Sequence, residues 1–158
     1  MESLIEPNHT AVRQAIMVLG QNVNPVKVLD AEQINDIYAR AAAAPPHLLE
    51  LTAFRARGVV TDPHIYVNRE SAIYRAAINK PSALTILKLA ATLAHEQVHN
   101  TDGELAAYRL QADFVLSKLE SVPRRHRKEA CAYLQSLEAK AQAIAYVTRL
   151  EARRHRGR

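Results

Sequence analysis

The chain has 158 residues, 48% of them hydrophobic and 23% charged, with a formal net charge of +5 and a single cysteine, Cys131. That length fits one domain with a sizeable core; a lone cysteine excludes an intramolecular disulfide framework, and no stretch approaches the roughly 20 apolar residues of a membrane span. Only four glycines, with no repeat and no low-complexity tract, argue against a fibrous or disordered chain, and Met1 to Pro7 has no basic region leading into an apolar one, so a cytoplasmic protein is expected.

A first helix is predicted near Thr10 to Leu19, closed by Gly20, and a second begins at the capping-box-like Asp30-Ala31-Glu32-Gln33 and runs to Ala44, where Pro45-Pro46 stops it. Leu51-Thr52-Ala53-Phe54 has strand character. Gly58 to Asn68 reads as a hairpin, two β-branched runs around Thr61-Asp62-Pro63-His64. Ser71 to Ala77 gives a short helical connector. Pro81 and Ser82 then mark the start of a helix, with Ser82 as N-cap, and Asn100-Thr101-Asp102-Gly103 reads as its terminating turn. Helical periodicity resumes over Glu104 to Phe114, and from Pro123 a long helix extends to about Arg154, where Leu134, Leu137, Ala141 and Ile144 form a seam for packing on the body or on a second copy of the chain.

The chemistry concentrates in His95-Glu96-Gln97-Val98-His99. Two imidazoles four residues apart on a helix project from one face and suit a single zinc ion, with the intervening glutamate as a base. Leu84, Leu87, Ala91, Ala94 and Val98 form an apolar stripe that places both histidines on or beside the core-facing side. A catalytic zinc needs a third protein ligand. Glu104, in the first turn of the next helix, is the leading candidate, because a tight turn folds two helices back on one another; Asp102, which also suits an N-cap, and Asp113 are the alternatives.

On these motifs the sequence resembles the gluzincin metallopeptidases, and within them the compact minigluzincin-like proteins: His95-Glu96-Gln97-Val98-His99 matches the family's first motif and Glu104-Leu105-Ala106-Ala107 its glutamate motif, over residues 82 to 120. The link between the second histidine and the glutamate is very short for that pattern. The resemblance implies zinc ligation by His95, His99 and Glu104, Glu96 as general base and then acid, and hydrolysis of a protein or peptide substrate without an acyl-enzyme. It also implies an edge strand ahead of the zinc helix that aligns substrate as an added strand, a role given to Ile65, Tyr66, Val67 and Asn68. Tyr108, Tyr66 and His64 are the candidate oxyanion donors.

The expected architecture is therefore α+β, mainly helical with a small antiparallel sheet next to the zinc-binding helix, in one domain over 1–158. Its parts are N-terminal helices over 1–45, strands over 48–68, zinc-site helices over 82–120 and a basic C-terminal helix and tail over 123–158. Residues 121 to 158 hold ten Lys or Arg against three Glu, a net of +7 that exceeds the whole-chain value. Arg124-Arg125-His126-Arg127-Lys128 and the run from Arg149 to Arg158 thus offer a second reading, a peptidase-like protein that binds nucleic acid or another acidic partner. Cys131 reads as a small packed residue.

Overall fold

The computed structural model describes residues 7–20, 24–41, 47–48, 51–56 and 62–157, with side chains described from residue 10 onward except those of 99–102. Helix α1 (Pro7–Leu19) ends at Gly20, whose φ of 70° and N–H bond to the Ile16 carbonyl stop the helix in the left-handed conformation that glycine adopts without strain. Strand β1 (Val26–Leu29) follows, then α2 (Ala31–Arg40), started by the predicted capping box: Asp30 accepts from the Gln33 amide at 2.9 Å and Gln33 returns the bond at 3.0 Å. Strands β2 (Ala53–Phe54) and β3 (Ile65–Asn68) lead to α3 (Ala72–Asn79), α4 (Ala83–Lys118), a 3-10 turn at Leu119–Ser121 and α5 (Arg124–Arg156). The chain is mainly helical with a small three-stranded sheet, as expected for an α+β protein.

The sheet departs from expectation in three ways. It is mixed, not antiparallel, in the order β1-β3-β2, with β1 parallel to β3 (Val26 opposite Ile65) and β2 antiparallel to it (Phe54 opposite Tyr66). The unforeseen β1 carries the alternation of Val26, Lys27 and Val28, in which only Lys27 is exposed. Third, Ile65–Asn68 is the central strand, fully buried between its two neighbours, so its backbone groups are already paired and it is not the edge that could receive a substrate strand. The first arm of the expected hairpin, residues 58–61, and the end of the second helix, 42–44, lie outside the described residues.

Two faces of the sheet are covered differently. Ile65 and Val67 with Ala53 pack on α1, α3 and α4 through Ala15, Tyr74, Leu89 and Leu93, while Tyr66 and Phe54 on the opposite face meet Leu29 and Ile34. A third cluster joins Leu84, Leu87 and Ala91 to Ala112 and Val115 and to Leu134 and Leu137 of α5. Each fully buried leucine in these clusters stabilises the fold by about 1.5–3 kcal/mol relative to exposure, which fixes where the helices sit.

That third cluster requires α4 to double back. Gly103 breaks the helical path with φ 82° and ψ 177°, and the arms on either side pack together. A straight helix would hold residues 95 and 108 about 20 Å apart. Instead the His95 and Tyr108 ring centroids are 4.5 Å apart. The predicted turn at Asn100–Gly103 is therefore the point at which the chain reverses.

Candidate metal centre and cleft

The first arm of α4 begins at Ser82, whose hydroxyl accepts from the Thr85 amide at 3.1 Å while Thr85 returns a bond to the Ser82 amide at 2.8 Å. From this fixed start the apolar stripe of Leu84, Leu87 and Ala91 faces inward and carries His95 into the interior, where only 6% of the residue remains exposed. Glu96, beside it, is also buried. Reversal at Gly103 then places Glu104 against the same imidazole: Glu104 Oε1 is 3.5 Å from His95 Nε2, and Glu96 Oε1 lies 3.9 Å from that nitrogen. Tyr108, one turn after Glu104, stands edge-on to the His95 ring and limits its rotation.

The donor chemistry fits zinc. Two ligand atoms on a tetrahedral zinc ion are separated by about 3.3 Å, from bond lengths of about 2.0–2.1 Å to nitrogen or oxygen. The 3.5 Å between His95 Nε2 and Glu104 Oε1 is within a few tenths of an ångström of that spacing. His99 stands one helical turn beyond His95 in α4, with its side chain outside the described residues, as is that of Asp102. No set of three acidic, histidine or cysteine ligands is completed among the described residues, so the site is described by its two visible donors. Asp113 is exposed and is absent from the cleft.

The centre opens into a cleft of about 310 Å³. One wall is residues 51–55, comprising the approach to β2, β2 itself and Arg55; the other is Thr92, His95, Glu104, Tyr108 and Gln111 of α4 with Tyr133, Leu137 and Lys140 of α5. Tyr38 and Ile73 complete it. Asn68 sets the first wall: its buried amide donates to the Leu48 and Leu51 carbonyls at 2.7 and 2.9 Å, and its backbone N–H reaches Thr52 at 2.8 Å. One edge of β2 is paired with β3, and among the described residues no strand covers the other. The cleft edge of the sheet is thus β2, in place of the Ile65–Asn68 strand.

Electrostatics inside the cleft favour uncharged phenols. Burial raises the Tyr108 hydroxyl pKa, helped by the negative charges of Glu104 and Glu96. Burial likewise raises that of Tyr133, against the opposing effect of hydrogen bonds with Gln111, whose Nε2 donates at 2.9 Å, and Thr92. Of the three expected oxyanion donors only Tyr108 lines the cleft. Tyr66 and His64 instead serve Asp62, whose carboxylate accepts from the Tyr66 hydroxyl at 2.5 Å and from His64 Nδ1 at 2.8 Å.

Sequence reasoning did not single out Tyr38, Arg55, Tyr133 or Lys140. The last two did leave a signal, for Tyr133, Leu137 and Lys140 share one face of α5 at i, i+4 and i+7, and Leu137 belongs to the predicted seam. Tyr38, on α2 and packed against Phe54, and Arg55, just after β2, reach the cleft only through tertiary packing, which no local pattern encodes. A scan against protein-family models and searches of curated proteins and of solved structures each returned no match.

Proposed function

We propose that the protein is a zinc-dependent metallopeptidase of gluzincin type, in which His95, His99 and Glu104 hold the ion and Glu96 handles the proton. The single observation that carries the reading is the convergence of Glu104, from the far side of the chain reversal, on His95 Nε2 next to Glu96. A bound zinc ion would supply Lewis-acid polarisation of the scissile carbonyl and make water at the site more acidic. Glu96 is rotated about 100° round the helix from His95, which suits it to take the proton of the attacking water and deliver it to the departing amine nitrogen. Tyr108, held neutral by its surroundings, offers an O–H donor beside the reacting carbonyl. The edge of β2 that no strand covers among the described residues lines the cleft and suits an extended peptide added as a further strand, a role assigned to β2 in place of Ile65–Asn68.

Two variants test the assignment together. Glu96→Gln is expected to retain zinc at near-stoichiometric levels by elemental analysis while losing peptide cleavage by at least a hundredfold; Glu104→Ala is expected to lose zinc on mild dialysis against chelator. A fully active Glu96→Gln variant would rule out the proton-transfer role, and unchanged zinc in Glu104→Ala would move the third ligand elsewhere.

One observation supports a second reading. From Tyr146 to Gly157 every residue of α5 and its cap is exposed, including Arg149, Arg153, Arg154 and Arg156. This basic arm suits an acidic partner such as nucleic acid. Binding to duplex DNA that falls steeply with salt, and disappears on deleting residues 146–158, would favour it.

A further inference from the structure

The cleft holds two cations that its own carboxylates do not neutralise. Arg55, immediately after β2, has its Nε buried without a hydrogen-bond partner among the described residues. Across the cleft, Lys140 of α5 has its Nζ 5.6 Å from the centroid of the Tyr108 ring, the ring that stands against His95, and no ion pair to Lys140 occurs among the described residues. The two acidic side chains of the cleft, Glu96 and Glu104, are directed at His95 Nε2 and are committed to the metal centre under the metallopeptidase reading. Both cationic side chains line the same cavity as that centre. Arg55 as a whole is half-buried and has no ion pair among the described residues, so the rest of its guanidinium is open to a ligand in the cleft, and there a carboxylate is the acceptor that recovers most.

We propose that Arg55 and Lys140 form a carboxylate-binding wall, so that the cleft selects peptides presenting an acidic group beside the scissile bond. The inference rests on the metallopeptidase reading for its substrate class, peptides. Arg55 directly follows β2 and Lys140 stands by the Tyr108 ring next to His95, so both are within the cavity that a peptide added along β2 would enter. The shared chemistry is a carboxylate, supplied either by an Asp or Glu side chain or by the substrate's C-terminus.

The test uses full-length, zinc-loaded Glu96→Gln protein and alanine-based decapeptides that carry one Glu, or its isostere Gln, at each position in turn, with free or amidated C-termini. Binding is read by isothermal titration, and cleavage by wild type is read in parallel. At one or two positions Glu peptides are expected to bind about tenfold or more tightly than Gln peptides. If the carboxylate is the C-terminal one, amidation abolishes the gain and Glu and Gln become equivalent. Either preference should shrink to less than threefold in Arg55→Gln and in Lys140→Met, the latter a change at an exposed position that spares folding, and should survive Arg153→Gln outside the cleft. Equal binding of all peptides, or an acidic preference unchanged in both cleft variants, overturns the proposal. Wild-type protein that binds acidic peptides through Arg55 and Lys140 but cleaves none supports the wall and sinks the peptidase reading alone.

Discussion

Tyr108 illustrates how much one side chain settles here. Its ring packs edge-on against the His95 imidazole, and its hydroxyl is kept protonated by burial next to Glu104 and Glu96. Ring and hydroxyl are separable. On the proposed zinc reading, Tyr108→Phe should hold the ion as wild type does in a chelator competition, whereas Tyr108→Ala removes this ring contact and should weaken zinc affinity about tenfold or more. Tyr66 and Asp62, neither of which lines the cleft, carry a separate pH signature. Burial and the bond to Asp62 push the Tyr66 pKa up to about 12, so the folded state holds that proton more tightly than the unfolded chain does. The resulting stability is complete below pH 10 and is lost as pH rises toward 12. For Asp62, burial acts to raise the pKa but is outweighed by hydrogen bonds from Tyr66 and from the His64 amide and ring, so the net shift is downward and its contribution is lost as pH falls below about 4. Chemical denaturation between pH 9 and 12 should therefore show a fall in stability that Tyr66→Phe flattens.

At the scale of elements, the reversal in α4 matters most. Gly103 has φ 82° and ψ 177°, a combination that residues with a side chain rarely adopt, yet no heavy atom lies within 4 Å of where a Cβ would stand. The constraint is backbone strain and not space. Gly103→Ala should thus cost about 1–3 kcal/mol in denaturant unfolding. Because Glu104 is the next residue, the proposed zinc reading predicts that the same variant also releases the ion more readily than wild type. Helix starts were the most legible features of the sequence: the bonds of Asp30, Ser71 and Ser82 to the third amide onward are local, so their residue types announce them. Strand order was not legible. Ile65–Asn68 reads as a strand by its β-branched residues, but its central position depends on β1, some 40 residues earlier in the chain.

Across the whole molecule, the long basic helix divides into a packed half and a free half. Leu134 and Leu137 pack with residues of α4 and Ala141 is buried too, while Tyr146, Val147 and Leu150 are exposed, at 58%, 51% and 38%. The free half contributes little burial, so ending the chain at Ala145 should leave the thermal midpoint within about 2 °C of wild type. On the proposed zinc reading, metal content should be unchanged as well. A large drop in the midpoint would show that the distal half of α5 is covered in solution. No helix among the described residues is long and apolar enough to cross a membrane.

The sequence by itself determined the identity of the chemical groups, the helix that presents His95 and Glu96, and the residue at which that helix ends, because spacing along a helix, capping and glycine conformation all act within a few residues. Only the tertiary structure decided that Glu104 meets His95 Nε2 and that β2, not β3, borders the cleft. It also placed Arg55 and Lys140 in the same cleft. Those placements follow from packing among segments far apart in the chain, where burial of apolar surface sets the arrangement without leaving a local pattern to read.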